Sequence, residues 1–291
     1  MQFQIAIQVI LSGIMLGAIY SLLAMGLTLI FGVVQIVNFA HGEFLMIGMF
    51  ITFWLWSLLS GLDPIFSLFV VTPSMFLFGV IVYRFFFTRV INKTDEAKIF
   101  LSVGLSMVLQ NLALLVFKAD YRTLKTVYSD LYIRVGEVTI GYPKLLAFVS
   151  AILIAAGLAY LLIKTDFGKA MRAAAQDPQV AQLMGINTDR IYMLAVGLAS
   201  AITGAAGALI MPYFYVFPMV GAHFTTTCFC VVIMGGLGNV KGAFWCGLIL
   251  GLAEAMGGYF ISSDSGVMIS FILLVLVLMF RPQGLLSKGR I

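Results

Sequence analysis

Residues 5–31 read IAIQVILSGIMLGAIYSLLAMGLTLIF, an apolar run without a single charged side chain. A helix that crosses the hydrocarbon core of a bilayer needs about 20 such residues. No basic segment precedes the run and no cleavage site of small residues follows it. We therefore expect a first membrane-spanning helix here and not a removable signal peptide.

The composition extends this interpretation to the whole chain. Of 291 residues, 62% are hydrophobic and only 10% are charged, whereas soluble domains carry about 25% charged residues. So few polar side chains could not cover the surface of a soluble domain of this size. We expect an all-α, polytopic bundle of transmembrane helices, residues 1–291 forming one domain whose outer surface contacts the lipid bilayer.

Nine apolar segments are candidate spans: 5–31, 44–59, 65–87, 99–117, 145–163, 191–211, 224–234, 243–260 and 267–280. The last three are short, so we expect eight to ten spans. Between 224 and 260 the chain is broken by Gly235-Gly236-Leu237-Gly238-Asn239. This break is either a tight turn or an unwound helix inside the membrane.

The distribution of basic residues predicts the orientation. Lys and Arg gather in 84–98, in 164–190 and in the tail after Phe280, as they do in cytoplasmic loops. Segment 118–144 is also basic, but single spans separate it from the loops on either side, so we expect it outside. The C-terminus is predicted to be cytoplasmic, and the side of the N-terminus stays open.

Stripes of small residues recur at four-residue spacing, which lets helix backbones approach closely in lipid. The stripes are Gly13/Gly17/Ser21, Ser200/Gly204/Ala208 and Gly247/Gly251/Ala255. They predict a tightly packed bundle and identify no substrate. A weak internal repeat is also visible, because His41-Gly42-Glu43-Phe44 and Lys241-Gly242-Ala243-Phe244 share a basic-Gly-x-Phe pattern.

Few ionisable residues lie among the apolar runs, and these are the candidates for a solute path. His41 and Glu43 follow Asn38 in the segment Asn38-Phe39-Ala40-His41-Gly42-Glu43. They line a path or gate at membrane depth, or they belong to a short solvated loop. Glu254 interrupts a later span, where pairing with a neighbouring helix competes with contact to a solute. The Gly-rich break, with Gly235, Gly236, Gly238 and Asn239, is a further candidate part of the path.

Metal and nucleic-acid chemistry find no support in the sequence. Cys228, Cys230 and Cys246 have no metal-binding spacing and are expected to be small buried hydrophobes. His223 follows an aromatic, proline-containing segment that is typical of an external loop, so we expect a surface histidine. No segment combines clustered basic residues with aromatics for base stacking, so no nucleic-acid partner is expected.

The polar segment 167–187 carries the signals of two capped helices. We expect an amphipathic helix over 168–176 and a short one over 178–184, with Asp177 as N-cap, Pro178 in the first helical position and Gly185 as the stop. Asn187, Thr188 or Asp189 could cap the next span. Such ordered, alanine-rich helices are typical of a docking element for a soluble partner.

This segment resembles the coupling loop of bacterial ABC-importer permeases. Three other stretches are similar to the branched-chain amino acid permease family in particular: residues 26–32 with 38–43, residues 235–242, and Arg281-Pro282-Gln283-Gly284-Leu285. They occur in the family's order along nearly the whole chain. The coupling loop begins Arg172-Ala173-Ala174, without the acidic residue of the better-known Glu-Ala-Ala pattern.

The resemblance implies a permease subunit of the bacterial inner membrane that forms half of a path for branched-chain or related amino acids. It implies a second homologous permease, two ABC ATPase subunits that bind ATP and Mg, and an extracytoplasmic solute-binding protein. It gives the coupling role to 164–190, with Arg172, Ala173, Ala174, Asp177, Pro178, Ala181 and Gly185 as the candidate contact residues. Family members also serve urea, amides and other carboxylates, so the solute is inherited only loosely.

Two other classes of membrane protein are alternatives. An intramembrane enzyme would need paired aspartates, a Ser/His pair or His-Glu-x-x-His within a span, and none is present. An ATP-independent secondary transporter or channel would explain the spans but not the capped loop. The chain has no Gly-x4-Gly-Lys-Ser/Thr run, so we expect no cofactor in it and ATP hydrolysis on separate subunits.

Overall fold

The computed structural model describes residues 2–59, 63–126, 128–135, 138–262 and 265–286. The helices are α1 (Gln2–Val34), α2 (His41–Leu58), α3 (Pro64–Phe85), α4 (Asp95–Phe117), α5 (Tyr142–Lys164), α6 (Asp166–Gln176), α7 (Pro178–Leu183), α8 (Thr188–Ile210), α9 (Val220–Gly235), α10 (Val240–Phe260) and α11 (Ser265–Phe280). A 3₁₀ turn at Phe87–Arg89 follows α3, and two strands, β1 (Tyr132–Val135) and β2 (Val138–Gly141), precede α5.

All nine predicted apolar segments are helical, which confirms the helical bundle. Among the described residues, seven helices are long and apolar enough to cross a membrane, and α9 and α11 are shorter apolar helices. Among the described residues, these two short strands depart from the all-α prediction. They pair antiparallel, with Tyr132 opposite Gly141, and their β-branched and aromatic residues suit a hairpin.

The loops gather at two ends of the bundle. At the end that we call the hairpin end, Tyr128 donates a hydrogen bond to Asp63 (2.8 Å), and Arg122 pairs with Val216 through two backbone hydrogen bonds. Burial, and then this bond, raise the pKa of Tyr128 above its usual range.

At the opposite end, which we call the α6–α7 end, Arg84 lies 4.0 Å from Asp189, and the Leu285 amide donates to the Met234 carbonyl (2.8 Å). The segments 84–98 and 164–190 and the start of the C-terminal tail therefore share one end. The basic tail residues Lys288 and Arg290, and also Ser60, Gly61, Leu62 and Glu137, lie outside the described residues.

Helix α1 forms the centre of the bundle by packing antiparallel against α10. A Cβ atom on Gly13 would lie 2.9 Å from the Leu252 Cα, and one on Gly17 would lie 2.8 Å from the Leu248 Cα. Ser21 donates to the Phe244 carbonyl (2.7 Å). Two of the predicted small-residue stripes thus meet each other, because only residues this small allow the two backbones so close.

The third small-residue stripe lies on α8 and holds α2 and α3. A Cβ atom on Gly48 of α2 would lie 2.7 Å from the Gly204 Cα. One on Gly79 of α3 would lie 2.8 Å from the Val196 carbonyl oxygen. The stripes therefore act in packing, as the sequence indicated.

Adding a single methyl group within the α1–α10 contact should destabilise the fold. We expect Gly251→Ala to lower the free energy of unfolding by about 1–3 kcal/mol, the usual cost of overpacking, because its Cβ would collide with the Gly17 backbone. Thermal unfolding in mild detergent, followed by tryptophan fluorescence, measures this. Gly258→Ala on the same helix is the control, since no atom lies within 4 Å of that Cβ. Equal stability of the two variants would contradict the packing argument.

Candidate functional site

The helical path is interrupted between α1 and α2 by a segment that starts at exposed Gln35 and runs into the buried interior at Asn38. Gln35 has a left-handed backbone (φ 57°), and residues 35–38 are neither helix nor turn. The side chain of Asn38 accepts a hydrogen bond from the Ala40 amide (3.0 Å), and its carbonyl accepts one from the His41 amide (3.3 Å). These bonds bridge the gap up to the first turn of α2.

His41 anchors the start of α2 to two other helices. Its Nε2 lies 3.0 Å from the Leu23 carbonyl oxygen of α1 and 2.9 Å from the Thr203 hydroxyl of α8. The next amide, that of Gly42, donates to the Thr225 hydroxyl of α9 (3.1 Å). A side chain on Gly42 would collide with the Gly221 carbonyl, so only glycine fits here.

Glu43 is buried beside α4. Its Oε1 accepts hydrogen bonds from the Gln110 amide group (2.7 Å) and from the Ser106 hydroxyl (3.3 Å). Ser106 lies eleven residues from either end of α4, so this contact is about 16 Å from each end of that helix. Glu43 is therefore at the middle of the bundle, and Asn38, His41 and Glu43 are all fully buried, which excludes the solvated-loop interpretation.

Several polar atoms in this cluster are buried and lack a hydrogen-bond partner within the described part of the chain. They are Asn38 Nδ2, His41 Nδ1, Glu43 Oε2 and, on α1, Thr28 Oγ1. Leaving such a group unsatisfied usually costs about 1–3 kcal/mol. Native proteins keep groups of this kind mainly where water, an ion or a ligand can reach them.

Helix α4 presents a polar stripe that the sequence analysis missed. Asp95, Lys98, Ser102, Ser106 and Gln110 follow one another at spacings of three and four residues, so they share one face of the helix. Ser102 donates to the Val37 carbonyl (3.1 Å), so the stripe contacts the interrupted segment. Through Ser106 and Gln110 it also contacts Glu43 in the first turn of α2. The three- and four-residue spacing of these polar side chains, in an otherwise apolar span, is the sequence signal that would have predicted the stripe.

The other two candidate parts of the path lie elsewhere. Gly235 to Asn239 form a tight turn between α9 and α10 at the α6–α7 end, with left-handed Gly236 (φ 94°) and Gly238 (φ 85°). Asn239 caps α10 by accepting from the Gly242 amide (3.0 Å) and also contacts the C-terminal tail at Leu286. The break is thus a turn that the tail packs against.

Glu254 occupies a third position, fourteen residues along α10 from Val240. Its Oε1 accepts a hydrogen bond from the Tyr20 hydroxyl of α1 (3.1 Å), which is the pairing with a neighbouring helix that the sequence left open. The candidate path residues therefore form three separate groups. Gly42 and Gly242 do share a local role, each packing at a helix start against another glycine carbonyl, whereas a chain-wide repeat stays a prediction.

The predicted docking loop is ordered as expected. Asp177 accepts hydrogen bonds from the Gln179 and Val180 amides (2.9 and 3.0 Å), and Pro178 begins α7. Gly185 is left-handed (φ 84°), and the Ile186 amide donates to the Ala181 carbonyl (3.0 Å), which closes a Schellman motif. Asn187 caps α8 through the Arg190 amide (3.0 Å).

Helix α6 begins two residues earlier than predicted because Thr165 caps it, accepting from the Gly168 amide (3.1 Å). Lys169 forms a hydrogen bond to Asp166 (2.9 Å), and this bond and its positive charge lower the pKa of that exposed carboxyl. Arg172 donates to the Leu162 carbonyl of α5. These contacts fix α6 to the end of a membrane helix.

The surface that α7 offers differs from the residues chosen by sequence. Ala174 and Ala181 are buried, at 1% and 3% exposure, so they hold the loop together and cannot touch a partner. Asp177, Pro178 and Gly185 are exposed. Val180, Leu183 and Met184, which the sequence analysis did not single out, are 53%, 87% and 78% exposed. We call these three residues the α7 apolar patch.

Few side chains among the described residues are placed to bind a metal ion or a cofactor. Among the residues that the structure describes, no three His, Cys, Asp or Glu side chains lie close enough to hold a metal ion. Cys228, Cys230 and Cys246 are buried free thiols, as predicted. His223 is exposed, but it lies in the first turn of α9 and not in the preceding loop.

Comparison of the sequence with known proteins places the chain in a family. A family model described as "Branched-chain amino acid transport system / permease component" matches residues 9–278. The branched-chain amino acid permease BraD of Pseudomonas aeruginosa is 31% identical over 98% of this chain and 97% of its own. The permease LivH of Escherichia coli K12 is 30% identical over 100% and 98%, and a probable LivH of Methanocaldococcus jannaschii is 29% identical over 91% and 87%.

No solved structure gives a significant match. Because the family model covers nearly the whole sequence and two full-length relatives reach 30% identity or more, the chain belongs to the family of permease components of branched-chain amino acid transport systems.

Proposed function

We propose that this chain is the transmembrane permease subunit of an ATP-binding-cassette importer and forms half of the path for branched-chain or related amino acids. The observation that carries the proposal is the α7 apolar patch, held by two helix caps at one end of a membrane bundle of this family. A short, capped helix with exposed Val180, Leu183 and Met184 suits insertion into a groove of a soluble subunit.

The proposed assembly has four further subunits besides the bilayer: a second homologous permease, two ABC ATPases that bind ATP and Mg, and an extracytoplasmic solute-binding protein. The α6–α7 end faces the cytoplasm in a bacterial inner membrane. The basic loops 84–98 and 164–190 meet at this end, as the positive-inside rule requires. The described part of the tail, residues 281–286, packs there too, which supports a cytoplasmic C-terminus.

Coupling runs through α7. Closure of the ATPase subunits moves their groove, and α7 transmits that movement to α5 and α8 through α6 and the capped junction at Asn187. A partner shifts the bundle only if it binds the two access states differently. The rigid caps serve this purpose, because a frayed helix would absorb the movement.

The solute path in this chain follows the α4 stripe to the cluster at Glu43. An interrupted helix at the middle of a bundle, with buried polar atoms awaiting partners, is the usual position of a binding site in transporters. Asn38, His41 and Glu43 supply such atoms, and Gly42 keeps α2 and α9 in contact. Glu254 has the same pattern, with Oε1 paired to Tyr20 and Oε2 buried without a partner among the described residues, and it is a further candidate for contact with the solute.

The assembly is tested by purifying the chain from its native membrane in mild detergent and identifying its partners by mass spectrometry. We expect two ATPase subunits and a homologous permease. Reconstituted vesicles should take up leucine only with ATP and the binding protein. A chain that emerges alone and moves solute without ATP would instead support a secondary transporter or channel.

The role of α7 is tested at its stop residue. Gly185→Val places a β-branched residue in a left-handed conformation, which costs about 1–3 kcal/mol of local strain, so the end of α7 should unwind. We expect ATP hydrolysis to continue while uptake per ATP falls severalfold. Gly185→Asn is the matched control, because asparagine tolerates this conformation. Full coupled uptake by the valine variant would count heavily against the coupling role.

The role of the carboxylate at the cluster is tested by Glu43→Gln, which preserves shape and removes charge. We expect the complex to assemble normally and the uptake kinetics to change, because solute passing the cluster would lose a charged partner. Glu96→Gln, an exposed carboxylate in the first turn of α4, is the control. Unchanged uptake by the Glu43 variant would remove this cluster from the path.

A further inference from the structure

An open cavity of about 750 Å³ lies at the α6–α7 end. It is bounded by the end of α1, the interrupted segment, the first turns of α4, the last residues of α6 and the Gly-rich turn. Apolar side chains form much of its wall: Phe31, Val37, Ile99 and Leu237. Its volume falls in the range of about 300–1,000 Å³ that is usual for small-molecule sites.

Two opposite charges stand side by side in this wall. Lys98 Nζ lies 3.0 Å from Asp95 Oδ1, and the Lys98 side chain is only 12% exposed while that of Asp95 is 86% exposed. Because Asp95 is open to solvent, water screens its side of the pair, so a ligand carboxylate can replace it on Lys98. A ligand that brings both an ammonium and a carboxylate would give each side chain a new partner.

The cavity is continuous with the α4 stripe. Asp95 and Lys98 are its first two members, and Val37, a wall residue, accepts the hydrogen bond of Ser102. From there the stripe leads to the cluster at Glu43. Ala175 and Gln176 of α6 also line the cavity, so a movement of the docking loop changes its shape.

We infer that this cavity is a second solute site, where zwitterionic α-amino acids with aliphatic side chains bind before they leave for the cytoplasm. The ammonium group lies on Asp95, the carboxylate lies on Lys98, and the aliphatic side chain packs against Phe31 and Leu237. The inference rests on the proposed function for the direction of transport. A solute without one of the two charges leaves Asp95 or Lys98 without a ligand partner and binds more weakly.

Thiol protection in the purified complex tests the site. Ile99→Cys places a thiol in the cavity wall, while the three native cysteines are buried. We expect leucine to slow labelling by a water-soluble maleimide about tenfold at about ten times its Kd, by mass action. The α-keto acid of leucine, which lacks the ammonium, and 3-methylbutylamine, which lacks the carboxylate, should protect far less at the same concentration.

Two controls make the result specific. Lys93→Cys carries an exposed thiol just before α4 and outside the cavity wall and should not be protected. Lys98→Gln, added to Ile99→Cys, should abolish protection by leucine. Protection is taken as the ratio of labelling rates with and without leucine in the same variant, because loss of a neighbouring cation changes the reactivity of the thiol itself.

Absence of protection at Ile99→Cys, equal protection by the keto acid, or equal protection of Lys93→Cys would overturn the assignment. ATP-dependent uptake by the unlabelled complex is measured separately. A transporting complex without a protected thiol would therefore refute this site and leave the proposed function intact.

Discussion

The structure depends on satisfying the polar backbone of residues 35–40 inside a bundle built for lipid. Helical hydrogen bonds are lost where the helix stops, and because Ile36, Asn38 and Ala40 are fully buried, their polar backbone groups need partners from the protein. Asn38 closes the turn with its own side chain and carbonyl, Ser102 binds the Val37 carbonyl, and Thr225 receives the Gly42 amide. Two further helices, α4 and α9, are thus held against one short stretch of chain, and Ser102 supplies the contact from the α4 stripe.

The same constraint explains the glycines. Partners can reach the interrupted backbone only if the helices lie very close, and close approach requires residues without side chains. Gly42 admits α9, and Gly48 admits α8, whose Gly204 is equally small. Close packing and a mid-depth polar cluster are therefore one arrangement: the small residues bring the donors and acceptors within reach. Asn38, His41 and Glu43 each keep one buried polar atom without a hydrogen-bond partner among the described residues. These unsatisfied atoms make the cluster suitable for binding a ligand.

Much of this was predictable from sequence. Length and hydropathy predicted nine helical segments, and the caps at Asp177 and Gly185 were read correctly, because a cap is encoded by residues within one turn of each other. Long-range placement was less accessible. The pattern around Glu43 allowed either a wet loop or a buried cluster, and only tertiary packing decided between them. The spacing of the polar residues of α4 indicated the stripe, but it was not used as a prediction. The α7 apolar patch was missed because periodicity in so short a helix does not distinguish buried Ala181 from exposed Leu183.

The pairing of α1 with α10 has a consequence for how the chain is made. Tyr20 and its partner Glu254 are 234 residues apart, and domains emerge at about 5–20 residues per second. The first helix therefore waits on the order of ten to fifty seconds before its partner is synthesised. During that time its glycine-lined face is open to lipid or to other helices, and native pairing cannot begin. Biogenesis of this bundle is accordingly a late, long-range event, in which an insertion chaperone or a transient neighbour has a defined surface to protect.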